Sequence, residues 1–410
     1  MIRPSLARIV IDPSVENTAT AQAIRRNAGG VEVTVGSAAT AAAGARHLTL
    51  TAGKRLLLVE QFLGESVKVC QGLKSDYACC NLHTLAEANN CSMECTYCIL
   101  QYYMTSPHLS VFGNTEELLA EVRRRTEAYP GRLLRIGTGE LSDSLLLDPL
   151  TESTRRMVPF FRDVPNAVLE LKTKTDNIEN LLTLEPAGKT VVSWSVNPPE
   201  IVTREELKTA SLKRRLAAAR ALAHGGYAIG FHIDPMIYHE GWREGYAGLV
   251  EALLDAVPAE RIAWISIGGL RFPPVLKTKL EDRFPRSELR YAEMVHAPDG
   301  KMHYLRPLRI EMYRHVVECL RREIPATAPG PVLYLCMESP EVWKRVFDEE
   351  ALSVDALDYR FAHNYWSRFS SPHLSEPARA DYTRDGGVGG GGETVTAKDG
   401  FVPIESVVCL

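Results

Sequence analysis

Three cysteines on one short segment are the residues of this 410-residue chain best suited to chemistry. Cys91, Cys95 and Cys98 follow the spacing CxxxCxxC. Three thiolates so placed can bind three irons of a [4Fe–4S] cluster and leave the fourth iron without a protein ligand. S-adenosylmethionine (SAM) can chelate that open iron, and an electron passed to its sulfonium then yields a 5′-deoxyadenosyl radical. The spacing therefore indicates radical chemistry at an iron–sulfur cluster.

Zinc competes for the same three thiolates. A structural zinc site usually has four protein ligands, often as two separated pairs. Cys79, Cys80 and His83 are the nearby residues that could supply the fourth ligand. A zinc-stabilised binding module is therefore the alternative that is not an enzyme.

The residues around and after the cysteines resemble the radical SAM superfamily. Tyr97 lies at the usual aromatic position before the third cysteine. About forty residues later a predicted strand ends in Gly137-Thr-Gly-Glu140, which looks like the superfamily's Gly-Gly-Glu element. The resemblance implies that Glu140 and Ser142 orient SAM at this strand end. It also implies that Lys174 and Ser195, at the ends of the next two strands, contact the carboxylate or adenosine of SAM.

Over residues 91–347 the chain is more closely similar to spore photoproduct lyase and its relatives. Beside the cysteines, the matching segments are Val111–Asn114, Leu171–Lys174, Ser195–Asn197, Ala228–Pro235, His239–Trp242 and Leu270–Phe272. The last-but-one block, His-Glu-Gly-Trp followed by Arg-Glu-Gly-Tyr, is specific to that group. The resemblance implies a shared way of generating the radical.

The chain departs from the lyase pattern where the lyase returns hydrogen to its substrate. In the lyase that this chain resembles, a cysteine near the second strand donates the hydrogen. A tyrosine lies on each side of the last cluster cysteine. Here Glu140 takes the place of the donor, and Ile99 takes the place of the second tyrosine. A carboxyl O–H bond is too strong to donate a hydrogen atom as a thiol does. We therefore expect the last step of the reaction to differ from the lyase's return of hydrogen to its substrate. We therefore favour a small-molecule or nucleotide substrate over DNA repair, which stays the alternative.

A histidine and an aspartate on the fifth predicted strand are candidate substrate residues. His232 and Asp234 are two positions apart, so they lie on the same face of the strand. In a barrel that face points inward, where buried polar groups are costly unless they bind something polar or satisfy each other. We expect His232 and Asp234, together with Tyr97, to contact the substrate or move a proton.

Strands alternate with helices between residues 81 and 290, which is typical of parallel βαβ units with functional residues at the strand ends. Thr115–Ala128 is predicted as a helix, and Leu133–Gly137 and Val168–Thr173 as strands. The predicted fold class is α/β, a partial (β/α)6 barrel of the TIM type. The predicted domains are an N-terminal α/β extension (1–80), the barrel (81–290), a C-terminal segment closing it (291–350) and an irregular Gly-rich tail (351–410).

Composition is compatible with an enzyme of a reducing compartment. Five of the nine cysteines fall between Cys79 and Cys98, which does not suit a disulfide framework. No signal peptide and no run of 18 apolar residues is seen. The net charge of −4 disfavours a protein that binds polyanions over its whole surface. We expect a cytoplasmic protein with no membrane partner, supplied with electrons by a reductant of the flavodoxin or ferredoxin type.

Overall fold

The computed structural model describes residues 2–70, 77–324, 329–369 and 371–382. The glycine-rich segment Asp385–Glu393 and the residues after it, including Cys409, lie outside the described residues. None of the helices in the described ranges combines the length and the apolar character that a membrane span requires.

Eighteen strands and fourteen α-helices lie within these ranges. The strands are β1 (Arg8–Ile11), β2 (Glu32–Val35), β3 (Leu56–Glu60), β4 (Val67–Val69), β5 (His83–Leu85), β6 (Ala88–Asn89), β7 (Glu94–Cys95), β8 (Leu109–Phe112), β9 (Leu134–Gly137), β10 (Ala167–Thr173), β11 (Thr190–Ser195), β12 (Glu206–Leu207), β13 (Ala228–Met236), β14 (Ile262–Gly269), β15 (Arg271–Phe272), β16 (Val295–His296), β17 (Met302–His303) and β18 (Val332–Leu335). The helices are α1 (Ala19–Asn27), α2 (Ala38–Ala45), α3 (Leu50–Gly53), α4 (Leu100–Tyr103), α5 (Thr115–Ala128), α6 (Asp148–Thr151), α7 (Thr154–Asp163), α8 (Pro199–Glu205), α9 (Leu212–His224), α10 (Trp242–Ala256), α11 (Pro274–Arg283), α12 (Arg306–Glu323), α13 (Pro340–Phe347) and α14 (Val354–Arg368).

An eight-stranded sheet in the order β18-β14-β13-β11-β10-β9-β5-β4 forms the half-barrel. Every neighbouring pair in it is parallel except β4 with β5. From β9 to β14 the strands follow one another in chain order, with α7, α9 and α10 in the connections, as right-handed βαβ units require. The predicted α/β half-barrel is confirmed, and β18 extends it beyond residue 290.

A second sheet, in the order β2-β1-β3-β8-β6, carries the N-terminal residues. Its strands β8 and β6 come from beyond residue 80, on either side of the three cysteines. The parallel pairing of Leu57 with Leu109 and of Val59 with Val111 joins β8 to β3, and β6 pairs in turn with β8. The cysteine segment is therefore held at both ends by the N-terminal sheet, so residue 80 is not a boundary between separate sheets.

The prediction of irregular structure after residue 350 was wrong for α14. Ser353 caps this helix, and its residues Phe361 and Tyr365 are buried. The ring centroids of both lie 6.0 Å from that of Trp264 on β14. The apolar residues recur every fourth position, which is a helical signal. The helix closes one end of the half-barrel, where the buried guanidinium of Arg135 lies 3.9 Å from the centroid of the Phe361 ring.

Polar side chains line the inside of the half-barrel. Glu170 and Lys172 on β10 share a face, as do His232 and Asp234 on β13. The absence of a side chain at Gly230 makes room for Ser193 and Trp264 on this face. A Cβ there would lie 2.2 Å from Ser193 Oγ and 2.8 Å from Trp264 Nε1. This inner face supplies the candidate site.

Candidate active site

The three cysteines lie on a loop that is largely shielded from solvent. Cys91 and Cys95 are buried, and Cys98 is half-buried. Burial raises the pKa of both Cys91 and Cys95, and the charge of the Cys98 thiol adds to each rise. The three sulfurs are thus close enough to interact electrostatically, as ligands of one cluster must be.

This donor set suits a cluster better than a single ion. Within the described ranges, no three His, Cys, Asp or Glu side chains converge to hold one metal ion. In a [4Fe–4S] cluster each thiolate binds a different iron, so the three sulfurs need not converge. Cys79 and Cys80 interact with each other, and Cys79 also with Cys70. The described residues thus offer no ready-made zinc site, which argues against the zinc hypothesis.

A buried ion pair lies next to the cysteine loop and supports it. The sequence did not predict this pair. Glu206 pairs with Cys95 in the β12–β7 ladder, and its carboxylate lies 2.6 Å from Nη1 of Arg215. Arg215 is fully buried and also donates to the carbonyls of Ala210 (2.8 Å) and Ser195 (2.8 Å). In the sequence, both residues belong to a charged stretch that resembles a solvated helix face, so no local signal marks them.

The structure places Tyr97 against this ion pair. Its hydroxyl donates to Glu206 Oε1 at 2.5 Å, and its side chain is 8% exposed. Burial and then the charge of Glu206 raise the pKa of Tyr97 well above its ordinary value, so the hydroxyl stays protonated. The contact with Glu206 anchors the loop, and a contact of Tyr97 with substrate stays a prediction.

The predicted SAM-binding residues come from three neighbouring strand ends. Glu140 is exposed and Ser142 is half-buried on the loop that follows β9. The backbone N–H of Asn90, next to Cys91, donates to Leu141 O at 2.8 Å and joins this loop to the cysteines. Lys174 follows β10, and its Nζ lies 5.9 Å from the centroid of the Tyr97 ring.

Ser195 ends β11 on the same face as Ser193, whose hydroxyl points into the half-barrel and donates to Glu170. The predicted set therefore gathers at the carboxyl ends of parallel strands, beside the cysteines. Its roles in binding SAM stay predictions.

Asp143 is a further residue of this region that sequence reasoning missed. Its carboxylate accepts from the backbone N–H of Lys174 (2.7 Å) and from the hydroxyl of Thr173 (2.7 Å). Burial raises its pKa, and its charge contributes to the raised pKa of Cys91. Asp143 thereby fixes Lys174 next to the cysteines.

His232 is held by a carboxylate inside the half-barrel. Its Nε2 lies 2.8 Å from Glu170 Oε1, which also accepts from Ser193 Oγ (2.6 Å) and Trp264 Nε1 (3.0 Å). Burial and then the charge of Lys172 lower the pKa of His232. The ring is therefore neutral at neutral pH, with its proton on Nε2 because a carboxylate only accepts. Nδ1 remains an acceptor.

Asp234 pairs with Arg271, whereas His232 pairs with Glu170. His232 and Asp234 therefore do not serve as hydrogen-bond partners for each other. Its carboxylate oxygens lie 3.1 Å from Nη1 and 3.3 Å from Nη2 of Arg271. Nη2 of Arg271 also lies 3.3 Å from Cys336 Sγ, at the end of β18. A Cβ at Gly268 would lie 2.8 Å from Asp234 Oδ1, so glycine leaves room for the pair. Cys336 therefore lies beside the Asp234–Arg271 pair.

A thiol also lies beside Glu140. Cys70 Sγ is 3.8 Å from Glu140 Oε1. Cys70 precedes Glu140 by 70 residues, so the contact depends on the packing of β4 and β5 beside β9 and was invisible in the sequence.

The buried acids predict that the protein loses stability in acid. Burial opposes ionisation of Glu170. The hydrogen bond from His232 and the charge that its ring takes up in acid, followed by the charge of Arg135 and the hydrogen bond from Ser193, nevertheless lower the pKa of Glu170 to about 2. Burial also opposes ionisation of Asp234, but Arg271 lowers its pKa to about 2. Both pKa values lie below those of the unfolded chain, so the stabilisation is complete above about pH 5 and is lost as pH falls toward about 2.

Each group contributes about 2–3 kcal/mol to the free energy of unfolding by this linkage. Urea unfolding of the metal-free protein at about pH 6 and about pH 3 should show the loss. In Glu170→Gln the pH dependence should be shallower, although the variant is less stable overall. Equal free energies of unfolding at the two pH values in the wild type would contradict the assignment.

Comparison with known proteins identifies the family. The family model for spore photoproduct lyase matches residues 67–304. The spore photoproduct lyase of Bacillus subtilis (strain 168) is 31% identical over 209 residues, which are 50% of this chain and 61% of that protein. That of Geobacillus sp. (strain Y412MC61) is 30% identical over 206 residues, 49% of this chain and 60% of that protein. The matched region spans about three-fifths of these relatives' length.

Solved structures agree with the fold. Spore photoproduct lyase complexed with dinucleoside spore photoproduct is 23% identical to this chain, with a TM-score of 0.69, covering 81% of this chain and 100% of that one. A variant of the lyase with bound AdoMet and the same dinucleoside gives the same TM-score of 0.69. Together with the family match over more than half of the residues, these findings show that the chain belongs to the spore photoproduct lyase family.

Proposed function

We propose that this protein is a radical SAM enzyme, which cleaves SAM reductively and abstracts hydrogen from a small-molecule or nucleotide substrate. The observation that carries the proposal is the cysteine loop, whose three interacting thiols lie beside the strand ends of a half-barrel. When bound by Cys91, Cys95 and Cys98, a [4Fe–4S] cluster supplies the electron that releases the 5′-deoxyadenosyl radical from SAM.

The chain's own residues bind and orient SAM. Glu140 and Ser142 offer a carboxylate and a hydroxyl to its ammonium, and Lys174 offers a cation to its carboxylate. Ser195 offers a hydroxyl to the adenosine. Asp143 holds the backbone of Lys174, which keeps the ammonium of that lysine next to the loop.

Substrate binds on the inner face of the half-barrel in this proposal. The unprotonated Nδ1 of His232 can accept a hydrogen bond, and the Asp234–Arg271 pair offers both charges. A base or a nucleotide-like molecule carries the matching donors and acceptors. An external one-electron reductant supplies the electron, and the cytoplasm is the compartment that suits both that reductant and the free thiols.

The experiment is anaerobic reconstitution of the purified chain with iron and sulfide, followed by SAM and dithionite. Formation of 5′-deoxyadenosine supports the proposal. A colourless protein that binds one zinc and releases no 5′-deoxyadenosine would overturn it.

Photoproduct repair is the second candidate, and the family match favours it. The relatives are named for that activity, and one solved lyase holds the dinucleoside spore photoproduct. Glu140, in place of the hydrogen-donating cysteine, argues against it. Incubation of the reconstituted protein with the dinucleoside and SAM decides the matter. Repair at a rate comparable to SAM cleavage would establish photoproduct repair as the function. It would also contradict our expectation that the last step differs from that of the lyase.

Substitution of His232 and Asp234 should separate SAM cleavage from substrate chemistry. We expect His232→Ala and Asp234→Asn to keep substrate-free SAM cleavage within about threefold of wild type, because neither residue belongs to the proposed cluster or SAM-binding set. Conversion of the dinucleoside, where the wild type converts it, should fall about tenfold to a hundredfold. His232→Gln, which can still donate to Glu170, serves as the control for folding. Equal loss of both activities would indicate a structural role instead.

A further inference from the structure

A polar cavity of about 320 Å³ opens beside the cysteine loop. Its lining contains four cationic residues and no acidic one. The cationic residues are Arg3, Lys54, Arg55 and Lys208, and the hydroxyl residues between them are Ser5, Thr51, Ser92 and Thr209. This basic pocket is separate from the inner face of the half-barrel and has no part in the chemistry proposed above.

The cysteine loop itself forms one wall of the basic pocket. Ser92 follows Cys91 directly, and Lys54 Nζ donates to the carbonyl of Met93 at 2.6 Å. Lys208 follows β12, which pairs with β7 and so with Cys95. The lining residues therefore adjoin the loop that carries the buried thiols of Cys91 and Cys95, Ser92 in sequence and Lys208 through the β12–β7 ladder.

Cations outnumber acids around the pocket, and although Lys54 is buried, Arg55 and Lys208 reach the surface. Arg55 is exposed, and the side chain of Lys208 is 60% exposed. The acidic residue behind the lining, Glu94, is buried and is shared by three cations, Lys54 at 3.4 Å, Arg283 at 2.6 Å and Lys208 at 3.8 Å, so positive charge remains in excess around it. The chain as a whole carries a net charge of −4, so the pocket is a local reversal of its sign.

The N-terminal segment that carries Arg3 is fixed to the barrel. The side chain of Asn177, which is 1% exposed, accepts from the N–H of Ile2 at 2.7 Å and donates to its carbonyl at 2.7 Å. This two-bond contact places the neighbouring Arg3 on the rim. The cations are thus presented by three separate parts of the chain around one opening.

We propose that the basic pocket is the docking surface for an acidic one-electron carrier protein that reduces the cluster. The proposal rests on the proposed function. The pocket lies where the loop approaches the surface, and an electron must cross this loop to reach the buried thiol ligands. In each transfer the carrier loses one electron and the cluster gains one. A positive rim steers a negative partner and raises its association rate, although the rest of the surface repels it.

The test compares two reductants on a charge-reversal variant. In Arg55→Glu/Lys208→Glu, dithionite-driven SAM cleavage should stay within about twofold of wild type, because dithionite needs no docking surface. Cleavage driven by a reduced acidic flavodoxin should fall at least about tenfold at low salt, and the difference should shrink as salt is added. Arg124→Glu, an exposed reversal on α5, is the control and should behave as wild type with both reductants.

A binding measurement gives a readout that needs no turnover. Calorimetric titration of the full-length chain with oxidised flavodoxin should show affinity at least about tenfold weaker for the double variant than for Arg124→Glu. Unchanged flavodoxin affinity, or equal loss with both reductants, would overturn the docking proposal. The proposal would also be overturned if the double variant lost affinity for an oligonucleotide but kept its affinity for flavodoxin. The pocket would then be a site for phosphodiesters. Absence of 5′-deoxyadenosine in the wild type with dithionite would instead refute the proposed function itself.

Discussion

Replacing Cys91, Cys95 or Cys98 with alanine should abolish reductive SAM cleavage, with a loss of at least about a thousandfold. Each thiol is expected to bind a different iron, so no remaining side chain can substitute for the one removed. The loss should be accompanied by a fall in iron and sulfide content and in the absorption near about 400 nm that iron–sulfur proteins show.

The matched control is Cys319→Ala. Cys319 is buried on α12 and its Sγ lies 3.2 Å from Nη2 of Arg322, away from the cysteine loop. This variant should keep its iron and its activity. If a single substitution on the loop left iron content and 5′-deoxyadenosine formation unchanged, the assignment of the loop as the cluster site would be wrong.

Replacing Arg215 with methionine should destabilise the protein by about 3–5 kcal/mol. The substitution leaves the buried carboxylate of Glu206 without its charge partner. It also removes the donors to the carbonyls of Ala210 and Ser195. Because Glu206 also accepts the hydroxyl of Tyr97, we expect the cysteine loop to loosen and the yield of reconstituted cluster to fall.

Urea unfolding of the metal-free variant measures the first effect, and iron content after reconstitution measures the second. Arg220→Met is the control on the same helix, since its ion pair with Asp255 is exposed and should contribute no more than about 1 kcal/mol. The double variant Arg215→Met/Glu206→Gln should recover part of the loss, because it removes the unpaired charge. Equal effects of Arg215→Met and Arg220→Met would contradict the buried-pair argument.

The secondary structure of the barrel could be predicted because its signals are local. Helix α5 has the predicted bounds, and β9 and β10 differ from theirs by one residue each, since β-branched runs and caps depend on neighbours in the chain. Helix α14 was missed although its apolar residues recur at helical spacing, because the glycine-rich segment after it made the whole region read as irregular.

The partners of the candidate residues could not be predicted. The same-face relation of His232 and Asp234 follows from strand geometry. Their separate partners, Glu170 and Arg271, follow from the order in which strands join the sheet. Each partner is 37 or more positions away in sequence, and a single sequence contains no local sign of such a contact.

By itself, the sequence determined the residues on which the proposed chemistry rests: three thiols at the spacing CxxxCxxC, followed by strand ends carrying Glu140, Lys174 and Ser195. Ligand type and spacing are properties of a short segment, so they need no fold to be recognised. Only the tertiary structure decided what surrounds that segment. Packing placed the buried Glu206–Arg215 pair against the loop and gathered the cations of the basic pocket from three distant parts of the chain. Burial and charge at a site depend on which distant residues meet there, and the topology of the sheet alone determines that.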